Sequence, residues 1–167
     1  MPTALYELMR PHEDEIIEQV VQRLKNSTLP HYRDMDIQLL EDRVARLMEM
    51  FLVSIDDDPT TFVRYIRDIA EERIAEGFLL REVLCALNIF EERAWRIVTA
   101  EAPLEDQVLH LSTISGTIGA AKDALVRVYL NHMEAANAQV QLLEKKIEEM
   151  YKGVDVRSLL DGDELGI

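Results

Sequence analysis

The sequence predicts an all-α fold: a globin-like or antiparallel helical bundle whose long last helix extends into a coiled coil. Three observations carry that expectation. Apolar residues recur every three or four positions through most of the chain. Glycines and prolines number only 6 and 5 in 167 residues, too few for the turns of an all-β chain. Residues 104–151 contain no proline and no clear stop, which at 1.5 Å per residue makes a helix of roughly 70 Å.

A short turn over residues 3–9 precedes the first helix, expected over residues 11–25. Pro11 suits its first position, where the missing N–H has no intrahelical partner. Glu13, Asp14 and Glu15 complement the positive end of the helix dipole. Ile16, Ile17, Val20, Val21 and Leu24 form its apolar stripe, and residues 26–30 read as a break.

A second helix is expected over residues 36–55, with Leu39, Leu40, Val44, Leu47, Met48, Phe51 and Leu52 at helical spacing. The third starts with Asp58 as cap and Pro59 at the first position, and presents Phe62, Ile66, Ile69, Ala70 and Ile74. Gly77 ends it, because glycine takes the left-handed conformation with least strain, and Phe78 packs back on the last turn. The fourth, residues 80–100, holds Val83, Leu84, Ala86, Leu87, Ile89, Phe90, Trp95 and Val98. The expected core centres on Val20, Leu47, Phe51, Ile66, Ile69, Val83, Leu87, Phe90 and Leu111.

The fifth helix changes period along its length. Leu104, Val108, Leu111, Ile114, Ile118 and Leu125 are expected to pack on the bundle. Beyond them Val126, Met133, Val140 and Ile147 are spaced by seven, and Tyr129, Ala136, Leu143 and Met150 form a second series offset by three. Such an a/d seam asks for another helix, and the expected occupant is a second copy of this chain. The expected organisation is therefore a bundle over residues 1–125, a coiled-coil extension over 126–151 and a flexible acidic tail over 152–167.

Composition narrows the function. With 32 acidic and 18 basic side chains the net charge is −14, which repels a phosphate backbone and an anionic membrane alike. Neither is an expected partner. No run approaches the ~18 apolar residues of a membrane span, and the acidic N-terminus does not resemble a signal peptide. The single cysteine, Cys85, permits no intrachain disulfide and fits the reducing cytoplasm.

Chemistry-bearing patterns are sparse, and no catalytic residue, metal site or cofactor is expected. Residues 12–15, His-Glu-Asp-Glu, point in different directions on a helix and cannot converge on a metal. Asp106 and His110 share a spacing of four but lack the further ligands of a di-iron bundle. His110 also resembles the acceptor of a histidine phosphotransfer helix, without that motif's neighbouring Lys-Gly pair, and reads better as a core or boundary histidine. His132 reads as a solvated flank of the heptad. No P-loop, GxGxxG or GxSxG is present. Ser112, Ser115, Gly116 and Gly119 form a patch of small residues. Two glycines inside a helix cost about 1 kcal/mol each against alanine, so packing or a ligand is expected to use that space.

In order, these pieces resemble the N-terminal sensor domain of the RsbR-type co-antagonists of the bacterial stressosome. The resemblance covers about residues 6–151. It rests on the run Ser54-Ile55-Asp56-Asp57-Asp58, the helix ending Ala75-Glu76-Gly77-Phe78, the stretch from Val83 to Phe90 leading to Trp95, and the long last helix. It implies a globin-like or bundled fold, usually without haem, that dimerises and connects through its final helix to an output domain, commonly a STAS domain. In agreement, residues 58–100 contain no histidine to serve as a haem ligand. No output domain follows Tyr151, so the expected output is a partner protein or a domain that this piece lacks. The expected function is a non-enzymatic sensor that signals through its last helix. The alternatives are a small-molecule or haem carrier with its pocket beside Ser115, Gly116 and Gly119, and a phosphotransfer protein using His110.

Overall fold

A computed structural model describes residues 4–152, and every regular element among them is helical. The helices are α1 (Leu5–Met9), α2 (Glu13–Lys25), α3 (Pro30–Asp34), α4 (Ile37–Asp56), α5 (Thr61–Ala75), α6 (Leu80–Glu101) and α7 (Leu104–Lys152), with a 3₁₀ turn at Arg10–His12. The all-α class and the long last helix are as the sequence predicts. The expected tail lies outside the described residues, apart from Lys152 at the end of α7.

The chain divides into two compact units, Met1–Tyr129 and Leu130–Ile167. In the first, α2 packs on both α4 and α6, and α5 packs on α4. The centre of its core is aromatic. Phe51 of α4 meets Phe62 of α5 and Phe90 of α6 edge-on at 5.7 and 5.2 Å, and Phe62 stacks with Phe90 at 6.4 Å. All three rings are fully buried, and such pairs add about 0.5–1.5 kcal/mol beyond the area they bury. In the second unit the described residues, 130–152, are helical and exposed throughout.

The helix ends follow the local chemistry. Asp36 caps α4 by accepting from the Leu39 N–H at 3.0 Å. At the end of α5, Gly77 takes φ +86°. The Phe78 N–H returns to the Arg73 carbonyl at 2.9 Å and the Gly77 N–H to Ile74 at 3.0 Å, the double closure of a Schellman turn.

Several sequence expectations need correcting. Residues 5–12 form a helix and a 3₁₀ turn, so Pro11 belongs to that turn and α2 starts at Glu13. Between the expected break and α4 stands a short helix, α3, with Pro30 at its start. Asp58 accepts from the Thr60 N–H ahead of α5 rather than capping its first turn. Leu104 and Val108 do not pack on the bundle and are 80% and 78% exposed. The buried stripe of α7 runs His110, Ile114, Ile118, Ala121, Leu125, Val128, and at 100° per residue those two leucine and valine positions fall off it. Of the expected core residues, Ile69 and Leu111 are only half-buried; the other seven are buried.

Candidate functional site

The small-residue patch of α7 faces open space. Gly116 is exposed and Gly119 half-buried, and a Cβ added at either would meet nothing within 4 Å. Ser112 is exposed, its hydroxyl turned back to the Leu109 carbonyl at 2.9 Å. Ser115 donates to Glu91 of α6 at 3.1 Å, and Lys122 pairs with the other oxygen of the same carboxylate. Glu91 thus ties two turns of α7 to α6 beside the glycines. The surrounding surface is unusually apolar. Val108 and Leu109 both lie about two turns before Gly116, and Trp95 of α6 is 42% exposed in a shallow cleft with Asn88, Glu91 and Thr99. Nothing in the described chain uses the room the glycines leave.

The heptad positions divide by environment. Tyr129 is buried in the first unit and Val126 is half-buried there. Met133, Ala136, Val140, Leu143, Ile147 and Met150 are exposed, the five large ones by about half or more. A row of large apolar side chains left in water along one helix is what an unfilled pairing surface presents.

Tyr129 makes a contact that its heptad position did not reveal. Its hydroxyl donates to the Phe78 carbonyl at 3.0 Å, which fastens α7 to the turn between α5 and α6. Phe78 is in turn surrounded. His31 stacks on its ring at 4.5 Å, Tyr32 meets it edge-on at 5.0 Å, and the Arg73 guanidinium lies 5.7 Å from its centre. Below them Glu82 of α6 has no exposed surface. It accepts from the Leu79 N–H at 2.9 Å, the His31 N–H at 3.3 Å and, at 2.8 Å, shares a hydrogen bond with His31 Nδ1. Burial pushes its carboxyl up, but these hydrogen bonds and the His31 charge outweigh burial and hold it below the usual range. Burial likewise raises the Tyr129 phenol. Sequence reasoning missed this cluster because its members come from four helices and a turn, joined by hydrogen bonds that each span 51 residues, in no motif.

Two further histidines stand apart from this cluster. His110 is buried, 3% exposed, which corrects its reading as a phosphotransfer acceptor: an acceptor must reach a partner's active site. The core reading holds for it. His12 lies 3.3 Å from Glu15 and 3.4 Å from Glu101. Among the described residues, no group of three or more His, Cys, Asp or Glu side chains is placed to hold a metal ion. No helix there is long and apolar enough to cross a membrane.

The family model described as "RsbT co-antagonist protein rsbRD N-terminal domain" matches residues 14–142, which takes in α2 to α6 and most of α7. No curated protein and no solved structure matches the chain. The match covers well over half of the sequence. The chain belongs to the family of RsbT co-antagonist rsbRD N-terminal domains, a family of stressosome-type regulatory signalling domains.

Proposed function

We propose that this chain is a non-enzymatic, cytoplasmic stress-signalling domain that works as a homodimer and passes its signal along α7. The observation that carries the reading is the exposed stripe of Met133, Val140, Leu143, Ile147 and Met150 at heptad spacing. A parallel two-stranded pairing would remove that stripe from water. Val126 and Tyr129 complete the heptad in sequence, but their burial in the first unit starts the proposed seam at Met133. The open ground over Gly116 and Gly119, flanked by Ser112 and Ser115, is proposed as the place where the second copy's helix approaches closely. A signal reaching the bundle would alter how Tyr129 and Glu91 hold α7, and the paired helices would carry the change to a STAS-domain or other signalling partner.

In-register pairing has a direct test. With Cys85→Ala as background, cysteine replaces Val140 in one variant and Gln141 in another. Mild oxidation is expected to cross-link the Val140→Cys chain to itself quickly, because seam positions of parallel helices face each other. The Gln141→Cys chain, off the seam, should cross-link far more slowly. Equal rates would count against the seam. The carrier reading has no comparable support, since the two glycines border open space rather than an enclosed cavity.

A further inference from the structure

Most arginines of this acidic chain sit beside a carboxylate. Arg10, Arg33, Arg43, Arg46, Arg64 and Arg96 each have an acidic partner. Arg23 of α2 and Arg93 of α6 are different. They line one pocket of about 340 Å³ with Gln19, Gln22 and Asn26, and no carboxylate is among the lining residues. Neither arginine has an ion-pair partner among the described residues. The Nε of Arg93 is sealed from solvent with no hydrogen-bond partner. Arg93 makes a long hydrogen bond from Nη1 to Gln19 Oε1 at 3.5 Å.

The sealed Nε of Arg93 is out of reach of a ligand, but two cations sharing one pocket repel each other, and an anion between them relieves that repulsion. The nearest acids do not relieve this. Glu92 feels both arginines but bonds to Arg96 at 2.8 Å, and Glu15 accepts from Gln19 at 2.8 Å. An arginine near the end of α2 also complements the negative end of that helix, which accounts for Arg23 but not for Arg93. The donor set has one clear complement. Guanidinium forks match the paired oxygens of a carboxylate or phosphate, and the amides of Gln22 and Asn26 can turn their NH₂ groups to further oxygens. The pocket's size is at the small end of ligand sites.

We propose that the Arg23–Arg93 pocket is a binding site for a small oxyanion, a phosphate or polycarboxylate, clamped between α2 and α6. The site is independent of the dimer seam. A ligand there stabilises the folded bundle by mass action and fixes α2 against α6.

Calorimetric titration of the full chain with inorganic phosphate and, separately, citrate tests it, with sodium chloride at matched ionic strength as reference. Saturable binding of either anion is expected, with a thermal midpoint raised by roughly 2–4 °C near saturation. Binding of phosphate alone or citrate alone identifies which oxyanion the pocket prefers. Arg23→Gln and Arg93→Gln should each weaken binding about tenfold or more, a loss of one charge-assisted hydrogen-bonded contact. Arg46→Gln, which breaks only a surface pair with Glu49, should leave it unchanged. Arg23 is exposed, so its variant reports on the site even where Arg93→Gln unfolds the bundle. An equal response to chloride, or full binding by Arg23→Gln, overturns the proposal.

Discussion

Three residues fix the local logic of this bundle, and each gives a measurable consequence. Tyr129 holds α7 to the α5–α6 turn by one buried hydrogen bond. Replacing it with phenylalanine keeps the ring and orphans the Phe78 carbonyl, so thermal unfolding should show a loss of about 1 kcal/mol. Glu82 is held ionised in the folded chain by hydrogen bonds that outweigh its burial. A carboxyl whose folded value is lowered gives stability that is complete above its unfolded value and is lost as pH falls through the folded one. Acid unfolding below about pH 4.5 should therefore be shallower in Glu82→Gln, which should also be less stable at pH 7 by about 1–3 kcal/mol. Gly116 stands where an added Cβ meets nothing. Gly116→Ala should stabilise an isolated protomer by up to about 1 kcal/mol, while a bulky Gly116→Trp should fold and weaken self-association. A Gly116→Trp chain that associates as tightly as the parent would remove that face from the interface. Gly77 was legible in sequence because its left-handed φ is a local demand. The Glu82–His31 contact was not, because a hydrogen bond across 51 residues leaves no periodic trace.

At the scale of the element, periodicity decided most of what could be read. The stripes of α2, α4, α5 and α6 each bury one face; Phe51 and Phe90 were expected in the core and Phe62 on a helix face, but their meeting as a triad was not. Phe51→Ala should cost about 3–5 kcal/mol in denaturant unfolding, since a fully buried ring leaves a cavity. Short elements escaped: α3 has five residues, too few for a repeat to be seen. Leu104 and Val108 were misassigned because their i, i+4 spacing resembles a core stripe, while the true stripe of α7 is set by His110 and Ile114 onward. Polar side chains can occupy a buried stripe, and a hydrophobic pattern alone does not register them. Gln107 shows the same thing, bonding the Ala102 carbonyl at 3.1 Å across the α6–α7 turn.

For the whole molecule, the fold class and family were legible because they depend on element order, and element order is written in stripes and breaks. Partnership is only partly written. A heptad states that a helix is wanted, not which one, and its first two positions, Val126 and Tyr129, serve the bundle instead. The central claim is that residues from Met133 to Met150 pair two copies of the chain. Light scattering of the full chain at micromolar concentration tests it most directly, beside a Val140→Glu, Ile147→Glu double variant whose substituted positions are exposed in the protomer. The account predicts twice the chain mass for the parent and a helical monomer for the variant. A monomeric parent, or a variant that remains dimeric, would contradict it.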